Sequence, residues 1–344
     1  MEKLTIAYIG NGKSANRYHI PFSLKTGKIR IKKIFSPEET SIWKTISDVE
    51  YVKDLNDIWA DEDIQLVVLC TPHDTHYPLA KEALEKGKNV LVEKPFTETP
   101  EEARELFALA KEKGLLIQCY QNRRYDSDFL TVQKVIESGL LGDILEVEMS
   151  YDYYRPEIPT KYLTTFSKSM SYLYGHGCHT LDQVISYWGM PDKVNYDVRQ
   201  ILGKGRMNDY FDLDLYYGGT KISVKSSYFR IKQRPRFTVY GKKGMFVKAT
   251  DDRQEEHLKL FYMPDNADFG IDKPEHYGTL TYYDEQDIYH EEKIISEVGD
   301  YSRVYEGLYE AIINGAEKTV KDEETIRQIE ILWEGINTID EDLI

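Results

Sequence analysis

The 344-residue sequence predicts an α/β domain built on a parallel sheet, followed by an α+β domain with a large, mostly antiparallel open sheet. Up to residue 122, short apolar runs alternate with longer amphipathic ones, the strand-helix-strand pattern of a parallel sheet covered on both faces. A glycine-rich turn follows the first of those runs. From residue 123 the runs lengthen, alternate in polarity and fill with aromatic residues, as strands do when one face is solvated. Domains hold about 100–200 residues each, so the chain divides into residues 1–122 and 123–344.

In the first domain "LTIAYIG", "IRIKKIFS", "QLVVLCT", "NVLVEK" and "LLIQCY" are the expected strands. Between them, "DTHYPLAKEALEKG" has Asp74 as cap, Tyr77, Ala80, Ala83 and Leu84 as an apolar stripe, and Gly87 as stop. In "TPEEARELFALAKEKG", Thr99 caps, Pro100 suits the first helical position, Glu102 completes a capping box and Gly114 ends the helix. The second domain opens on the helix "SDFLTVQKVIESG" and continues with the strand runs "ILEVEMSYDYY", "KVNYDVRQIL", "FDLDLYYGG", "TKISVKSSYF" and "RFTVYGKKG". Helical periodicity returns in "YSRVYEGLYEAIING" and "EETIRQIEILWEGINTI", expected to pack on that sheet or against the first domain.

Composition narrows the function. A net charge of -15, from 44 Lys+Arg against 59 Asp+Glu, repels phosphate backbones and anionic lipid surfaces, which argues against a nucleic-acid partner. No apolar run approaches the roughly 18 residues that span a bilayer. The start "MEKLTIAYIG" enters a strand at once, without a basic and then apolar leader, so a cytoplasmic location is expected. Cys70, Cys119 and Cys178 lack CxxC spacing and are expected to be reduced, with no metal site.

The turn "IAYIGNGKSANRYH" sets Gly10-x-Gly12-x-x-Ala15 between a strand and a helix. There Gly10 permits a tight turn, Gly12 lets the backbone approach a pyrophosphate, and Ala15 allows close helix–strand packing, with phosphates held at the helix N-terminus. Lys13 and Ser14 belong to the same cradle. NAD-specific proteins place an acidic residue about 20 residues on, at the end of the second strand, for the ribose 2′-hydroxyl. Here "KKIFSPEE" offers Ser36, with Glu38 and Glu39 just beyond. Serine neither repels nor demands a 2′-phosphate, and Lys13 can approach one, so NADP is favoured over NAD.

With "GNGKSA" at 10–15, "TPHDTH" at 71–76, "EKP" at 93–95, "QNRRYD" at 121–126 and "GCHTLD" at 177–182, the chain resembles the Gfo/Idh/MocA oxidoreductase family over essentially its whole length. "NVLVEKPF", "YQNRRYDSDFLTV", "YDYYRPE" and "VGDYSRVY" look like the subgroup of YhhX-like proteins and NADP-dependent scyllo-inositol dehydrogenases. The resemblance implies an N-terminal Rossmann domain and a C-terminal α+β domain whose sheet often forms oligomer contacts, hence a homodimer or homotetramer. It also implies hydride exchange between nicotinamide and a sugar, inositol or related polyol.

Mapped on this chain, the family's EKP lysine is Lys94, and the histidine of its G-x-H-x-x-D stretch is His179, with Asp182 as the acid. Oxidising a secondary alcohol needs a group to take the hydroxyl proton, and lysine or histidine can do so near neutral pH. A lysine acts so only when burial or nearby positive charge depresses its pKa. Its place at the end of a strand, where doubly wound sheets present ligands, favours this for Lys94 over a stray surface cation. His179 and Asp182, three apart, share a helical face.

By the same resemblance Thr71, Pro72 and His76 line the nicotinamide ribose side, with Glu93 as a further contact. Asn122 and Arg123, with Arg124, follow the last strand of the first domain, at least one arginine being expected to pair with carboxylates. Tyr151, Tyr153, Tyr154 and Arg155 make an aromatic strand end that suits a polyol or equally a core or interface. Relatives with a Lys-Asp-His arrangement carry an aspartate four residues before the histidine, where this chain has Gly175, with His176 beside it. Two other readings are a dinucleotide-binding sensor without turnover, and a redox-neutral enzyme processing glycosides with tightly held NAD(P).

Overall fold

The structure, a computed structural model, describes residues 2–37, 43–157, 168–203 and 208–339. The chain clusters into two compact units. The first holds Met1–Asn122, His257–Phe269 and Tyr301–Ile329, and the second Arg123–Glu256, Gly270–Asp300 and Glu330–Ile344.

The first unit is built on β1 (Leu4–Ile9), β2 (Ile29–Phe35), β3 (Glu50–Val52), β4 (Leu66–Leu69), β5 (Asn89–Val92) and β6 (Ile117–Cys119). These pair in the order β3-β2-β1-β4-β5-β6, every pair parallel. β1 and β4 are buried at every residue, as strands between two helical layers must be. The helices are α1 (Ile20–Lys25), α2 (Asn56–Trp59), α3 (His76–Glu85) and α4 (Pro100–Lys113). The order reverses between β1 and β4, which makes the carboxyl ends of those strands a topological switch point.

α4 begins as expected: Glu102 N–H donates to Thr99 Oγ1 at 3.2 Å, Thr99 N–H donates to Glu102 Oε2 at 3.1 Å, and Gly114 closes the helix at φ 66°. α3 differs from expectation. A 3-10 turn over His73–Thr75 precedes it, so Thr75, not Asp74, stands at the cap, and no side chain caps the helix. Tyr77 also leaves the apolar stripe, its hydroxyl donating to Glu105 of α4 at 2.7 Å. β3, a three-residue edge strand, has too little apolar pattern to be seen in the sequence.

The second unit starts with α5 (Ser127–Glu137) and β7 (Ile144–Ser150), then α6 (Cys178–Trp188). There follow β8 (Lys193–Arg199), β9 (Tyr210–Tyr217), β10 (Thr220–Ser227), β11 (Phe237–Gly241), β12 (Gly244–Lys248), the short α7 (Arg253–Lys259, whose last residues cluster with the first unit), β13 (Gly278–Tyr283) and β14 (Tyr289–Ile294). Eight strands make one sheet in the order β14-β13-β12-β11-β7-β10-β9-β8. Only β7 with β10 is parallel; the other pairs are antiparallel. Gly218-Gly219 turns β9 into β10 and Lys242-Lys243 turns β11 into β12. Apolar residues such as Val147, Val224, Phe237 and Phe246 lie under α5 and α6, where Phe129 stacks on Phe237 with centroids 6.2 Å apart. The opposite face is charged: Lys221 Nζ meets Glu146 at 2.6 Å and Lys225 Nζ meets Glu148 at 2.8 Å.

α8 (Ser302–Asn314) belongs to the first unit, and α9 (Asp322–Ile336) is shared between the two clusters. All three cysteines are free and buried. Among the described residues no helix is long and apolar enough to cross a membrane.

The second unit buries charge where α5 begins. Arg236, 1 % exposed, has Nε 3.3 Å from Asp128 Oδ2, and Nη1 and Nη2 donate to Ser150 O and Gln183 Oε1. Asp252 accepts the N–H groups of Ser127 and Gln254, each at 2.6 Å. Burial, then the Asp128 charge, pushes the Asp252 carboxyl from its ordinary 3.8 up to about 7 against those N–H bonds. The folded state therefore binds the extra proton between these values, and the stability that Asp252 contributes below pH 3.8 is lost as pH rises to about 7. Relative to wild type, Asp252→Asn gains stability across that rise, read as diverging urea midpoints; a constant gap would contradict the assignment.

Candidate active site

In the first unit the turn after β1 bears out a steric need at Gly10. Its φ is 109°, and a Cβ there would stand 2.7 Å from the carbonyl oxygen of Cys70, at the end of β4. Gly12 is different: a Cβ on it meets nothing within 4 Å, and its φ is not left-handed. Neither packing nor backbone conformation asks for glycine at this position, and its main chain is open on that side. Ala15, fully buried, starts a π-helical turn (Ala15–His19) that leads into α1. Such turns insert an extra residue at some energetic cost and recur at functional sites.

Around the turn, Asn16 Nδ2 donates to Asn11 Oδ1 at 2.9 Å and to Gly12 O at 3.0 Å, which braces the loop. Asn11 Nδ2 reaches Ser36 Oγ at 3.5 Å, a long contact that brings the end of β2 to the turn. Lys13 is exposed, and Glu38 and Glu39 lie outside the described residues. Ser14 donates its hydroxyl to Glu93 Oε1, and the same carboxylate accepts Lys94 N–H on Oε2 at 2.8 Å. The glycine-rich turn and the lysine after β5 are thus tied to one side chain. Burial alone would raise the Glu93 carboxyl, but the hydrogen bond and charge of His19, with Lys94 and Ser14, hold it well below the usual carboxylate range.

Lys94 is half-buried and precedes a cis peptide to Pro95. His76, fully buried, has Nδ1 2.8 Å from Pro95 O and Nε2 3.1 Å from Thr71 O. Both ring nitrogens are therefore committed to main chain, and His76 braces the Thr71-Pro72 loop against Pro95. Thr71 itself accepts from Thr75 Oγ1 at 2.7 Å. Asn122 is buried at 5 % exposure at the close of this unit.

In the second unit Arg123 and Arg124 both serve carboxylates. Arg123 pairs with Asp126 at 3.2 Å and Glu255 at 3.1 Å, its guanidinium 5.1 Å from the Tyr151 ring centroid. Arg124 holds Asp182 in a two-pronged pair, Nε to Oδ2 at 2.8 Å and Nη2 to Oδ1 at 2.7 Å. Asp182 and His179 lie on α6, His179 7 % exposed.

A second π-helical turn, Leu173–Gly177, leads directly into α6. It carries Gly175 and His176, whose ring lies among Tyr172 (4.7 Å), Tyr153 (4.8 Å), Tyr151 (5.8 Å) and Tyr228 (6.0 Å). Burial pushes the Tyr153 phenol up to about 12, so it stays a neutral donor. Tyr154 and Arg155 are exposed, the Arg155 guanidinium 4.6 Å from the Tyr153 ring.

The family models for an oxidoreductase family's NAD-binding Rossmann fold and its C-terminal alpha/beta domain match residues 4–121 and 133–339. The chain belongs to the Gfo/Idh/MocA oxidoreductase family. It is 45 % identical to the uncharacterized oxidoreductase YhhX of Escherichia coli over 96 % of each chain. It is 34 % identical to the scyllo-inositol 2-dehydrogenase (NADP(+)) IolW of Bacillus subtilis, over 96 % of this chain and 92 % of that one. Among solved structures, a probable oxidoreductase yhhX superposes with a TM-score of 0.92 at 43 % identity, covering 98 % of this chain and 97 % of that one. An oxidoreductase from Bacillus cereus superposes at 0.90 and 42 % identity, with the same coverage.

The family's dinucleotide fits the turn found here: a glycine imposed by strand packing, a second with open space over it, and a helical start behind them. Gly10, Gly12, Lys13, Ser14, Ala15 and Ser36 gather at the carboxyl ends of β1 and β2, and Glu93 and Lys94 follow β5. The motifs do not announce His19, which binds Glu93, nor Tyr172 and Tyr228, which join Tyr151 and Tyr153 around His176. His19 sits four residues after Ala15 in a helix-like run, and its partners come from remote segments.

The two glycines separate stability from binding. Gly12→Val should melt within about 2 °C of wild type yet bind nicotinamide dinucleotide at least about tenfold more weakly, because only the ligand needs that space. Gly10→Ala should lower the melting temperature by several degrees. Equal effects of the two variants on melting would refute the distinction.

Proposed function

We propose that this family member is an NAD(P)-dependent oxidoreductase acting on the CH–OH group of a sugar, inositol or related polyol, with NADP preferred. The observation that carries this reading is the Glu93 carboxylate. It fastens the hydroxyl of the dinucleotide turn and the main chain of Lys94 together at the carboxyl edge of a parallel sheet. NADP preference is supported by Ser36, a neutral group at the end of β2, and by the NADP(+) that the Bacillus subtilis relative uses by name.

Bound nicotinamide supplies the hydride acceptor or donor. The chain's task is then to hold the cofactor and substrate and to manage the hydroxyl proton. Lys94 Nζ takes that proton as the alcohol becomes a carbonyl and gives the same proton back to the oxygen in the reverse direction. His179 is the second proton-handling group, an imidazole able to accept at one nitrogen while donating at the other. The aspartate absent at Gly175 leaves His176 and its surrounding tyrosines as the neighbouring polar groups on that turn.

Asp182 orients substrate hydroxyls as a third partner beside Arg124, while Arg155 and Tyr154 supply exposed donors. Asn122 and Arg123, the latter held by two carboxylates, are proposed as further substrate contacts. The charged face of the second unit's sheet, with its alternating lysine and acidic rungs, is proposed as the contact between copies in a homodimer or homotetramer. The site of action proposed is the cytoplasm.

Lys94→Ala should keep NADPH binding within about threefold and lower kcat on the best substrate from a panel of inositols, aldoses and sugar acids by at least about a hundredfold. Stopped-flow absorbance of reduced cofactor reads both. Unchanged turnover would sink the role given to Lys94.

A further inference from the structure

We propose that His19 is a positioning residue for the redox site: through the Glu93 carboxylate it sets, from behind, both the dinucleotide turn at Ser14 and the main chain that carries Lys94. The proposal rests on the role given above to Lys94.

Glu93 is 8 % exposed and its two oxygens take three donors: Ser14 Oγ and His19 Nε2 on Oε1, the latter at 3.0 Å, and Lys94 N–H on Oε2. A buried carboxylate must keep such donors, since each one lost leaves charge uncompensated in a medium of low polarity. Its position is therefore that of its donors, and His19 is the one donor held entirely inside the unit.

The reason lies on the far side of the ring. His19 Nδ1 is 2.7 Å from Tyr305 Oη on α8. Tyr8 Oη lies 3.0 Å from both Tyr305 Oη and Ser23 Oγ, and Ser23 donates to Ile20 O at 2.9 Å. Tyr120 covers the ring face with centroids 3.8 Å apart. Tyr8, His19, Ser23 and Tyr305 are all 0 % exposed. The chain of hydrogen bonds ends on a carbonyl oxygen inside the fold, so it orients the imidazole and does not open a path for protons to water. Burial keeps the Tyr8 and Tyr305 phenols far above their ordinary range. As neutral hydroxyls, either can donate or accept, and His19 meets Glu93 through Nε2.

The consequence is a division of roles. Ser14 and Lys94 face the dinucleotide and the reacting alcohol, while His19, Tyr305 and Tyr8 never touch either and act only by fixing Glu93. A shift of Glu93 moves the turn and the lysine together. Misplacement of a reacting group by about 1 Å can cost on the order of a hundredfold in rate, so the effect is read in turnover as well as in cofactor affinity.

His19→Phe keeps a ring against Tyr120 and removes both nitrogens; His19→Gln restores an N–H toward Glu93. With folding checked by circular dichroism, His19→Phe should weaken NADPH binding, followed by nicotinamide fluorescence, by about three- to tenfold. It should also lower kcat by at least about tenfold while substrate KM stays within about threefold. His19→Gln should recover most of both losses. A folded His19→Phe with binding and kcat within twofold of wild type overturns the proposal, and so does a Gln variant no better than Phe. If His19→Phe does not fold, Glu93→Gln decides. Its amide has a single acceptor oxygen for three donors, so at least one contact breaks; undiminished NADPH binding would overturn the proposal. Should Lys94→Ala leave turnover intact, the role of Lys94 fails by itself, and the NADPH measurement on His19→Phe still decides whether His19 sets the turn.

Discussion

A buried carboxylate is costly unless donors compensate its charge, and the first unit meets that demand at Glu93 on both oxygens. Its donors come from the turn after β1, from the π-helical turn behind it, and from the main chain leaving β5. Parallel pairing of β1 with β4 and of β4 with β5 brings these segments to one edge of the sheet, with Ile9 opposite Leu69 and Leu69 opposite Val92. One residue past that register stand Gly10, Cys70 and Glu93. The clash that any side chain at Gly10 would make with Cys70, and the hydrogen bond from Ser14 to Glu93, follow from the same alignment.

The second unit solves a related problem with cations. Arg236 and Lys248 are almost fully buried, the first against Asp128 and the second 2.8 Å from Asp272. Removing one partner from such a pair typically costs about 3–5 kcal/mol, although the pair as a whole need not stabilise the fold. What these pairs do supply is fixed geometry: Asp128 joins α5 to the segment at Asp252, and Arg124 holds Asp182 on α6, the helix that also carries His179. The polar face of α6 is thus oriented by ion pairs while its apolar face packs on the sheet.

Much of this was legible in the chain, and what was legible is local. Strand alternation, the Gly10-x-Gly12 turn, the Thr99–Glu102 capping box and the stop at Gly114 each depend on residues a few positions apart. The helix cap at Thr75 escapes the sequence pattern because Asp74 is taken up in a 3-10 turn over His73–Thr75. β13 and β14 escape the sequence pattern because "GTLTYY" and "YHEEKI" carry polar residues on both faces near the sheet edge, where burial imposes no clear alternation. The pairing of Arg124 with Asp182 spans 58 residues and that of His19 with Tyr305 spans 286. No short motif encodes such distances. The family's motifs point to Glu93 and Lys94 but are silent on the buried histidine and tyrosines behind them.

In the proposed reaction Lys94 takes the hydroxyl proton while hydride leaves a carbinol carbon for the dinucleotide. Deuterium at that carbon tests it most directly. With a deuterated inositol or sugar and NADP⁺, the account predicts one deuterium on C4 of the released reduced nicotinamide, seen by mass spectrometry, with an equal amount of carbonyl product. Product formed while deuterium stays on the substrate or exchanges into water, with no labelled cofactor released, would contradict it.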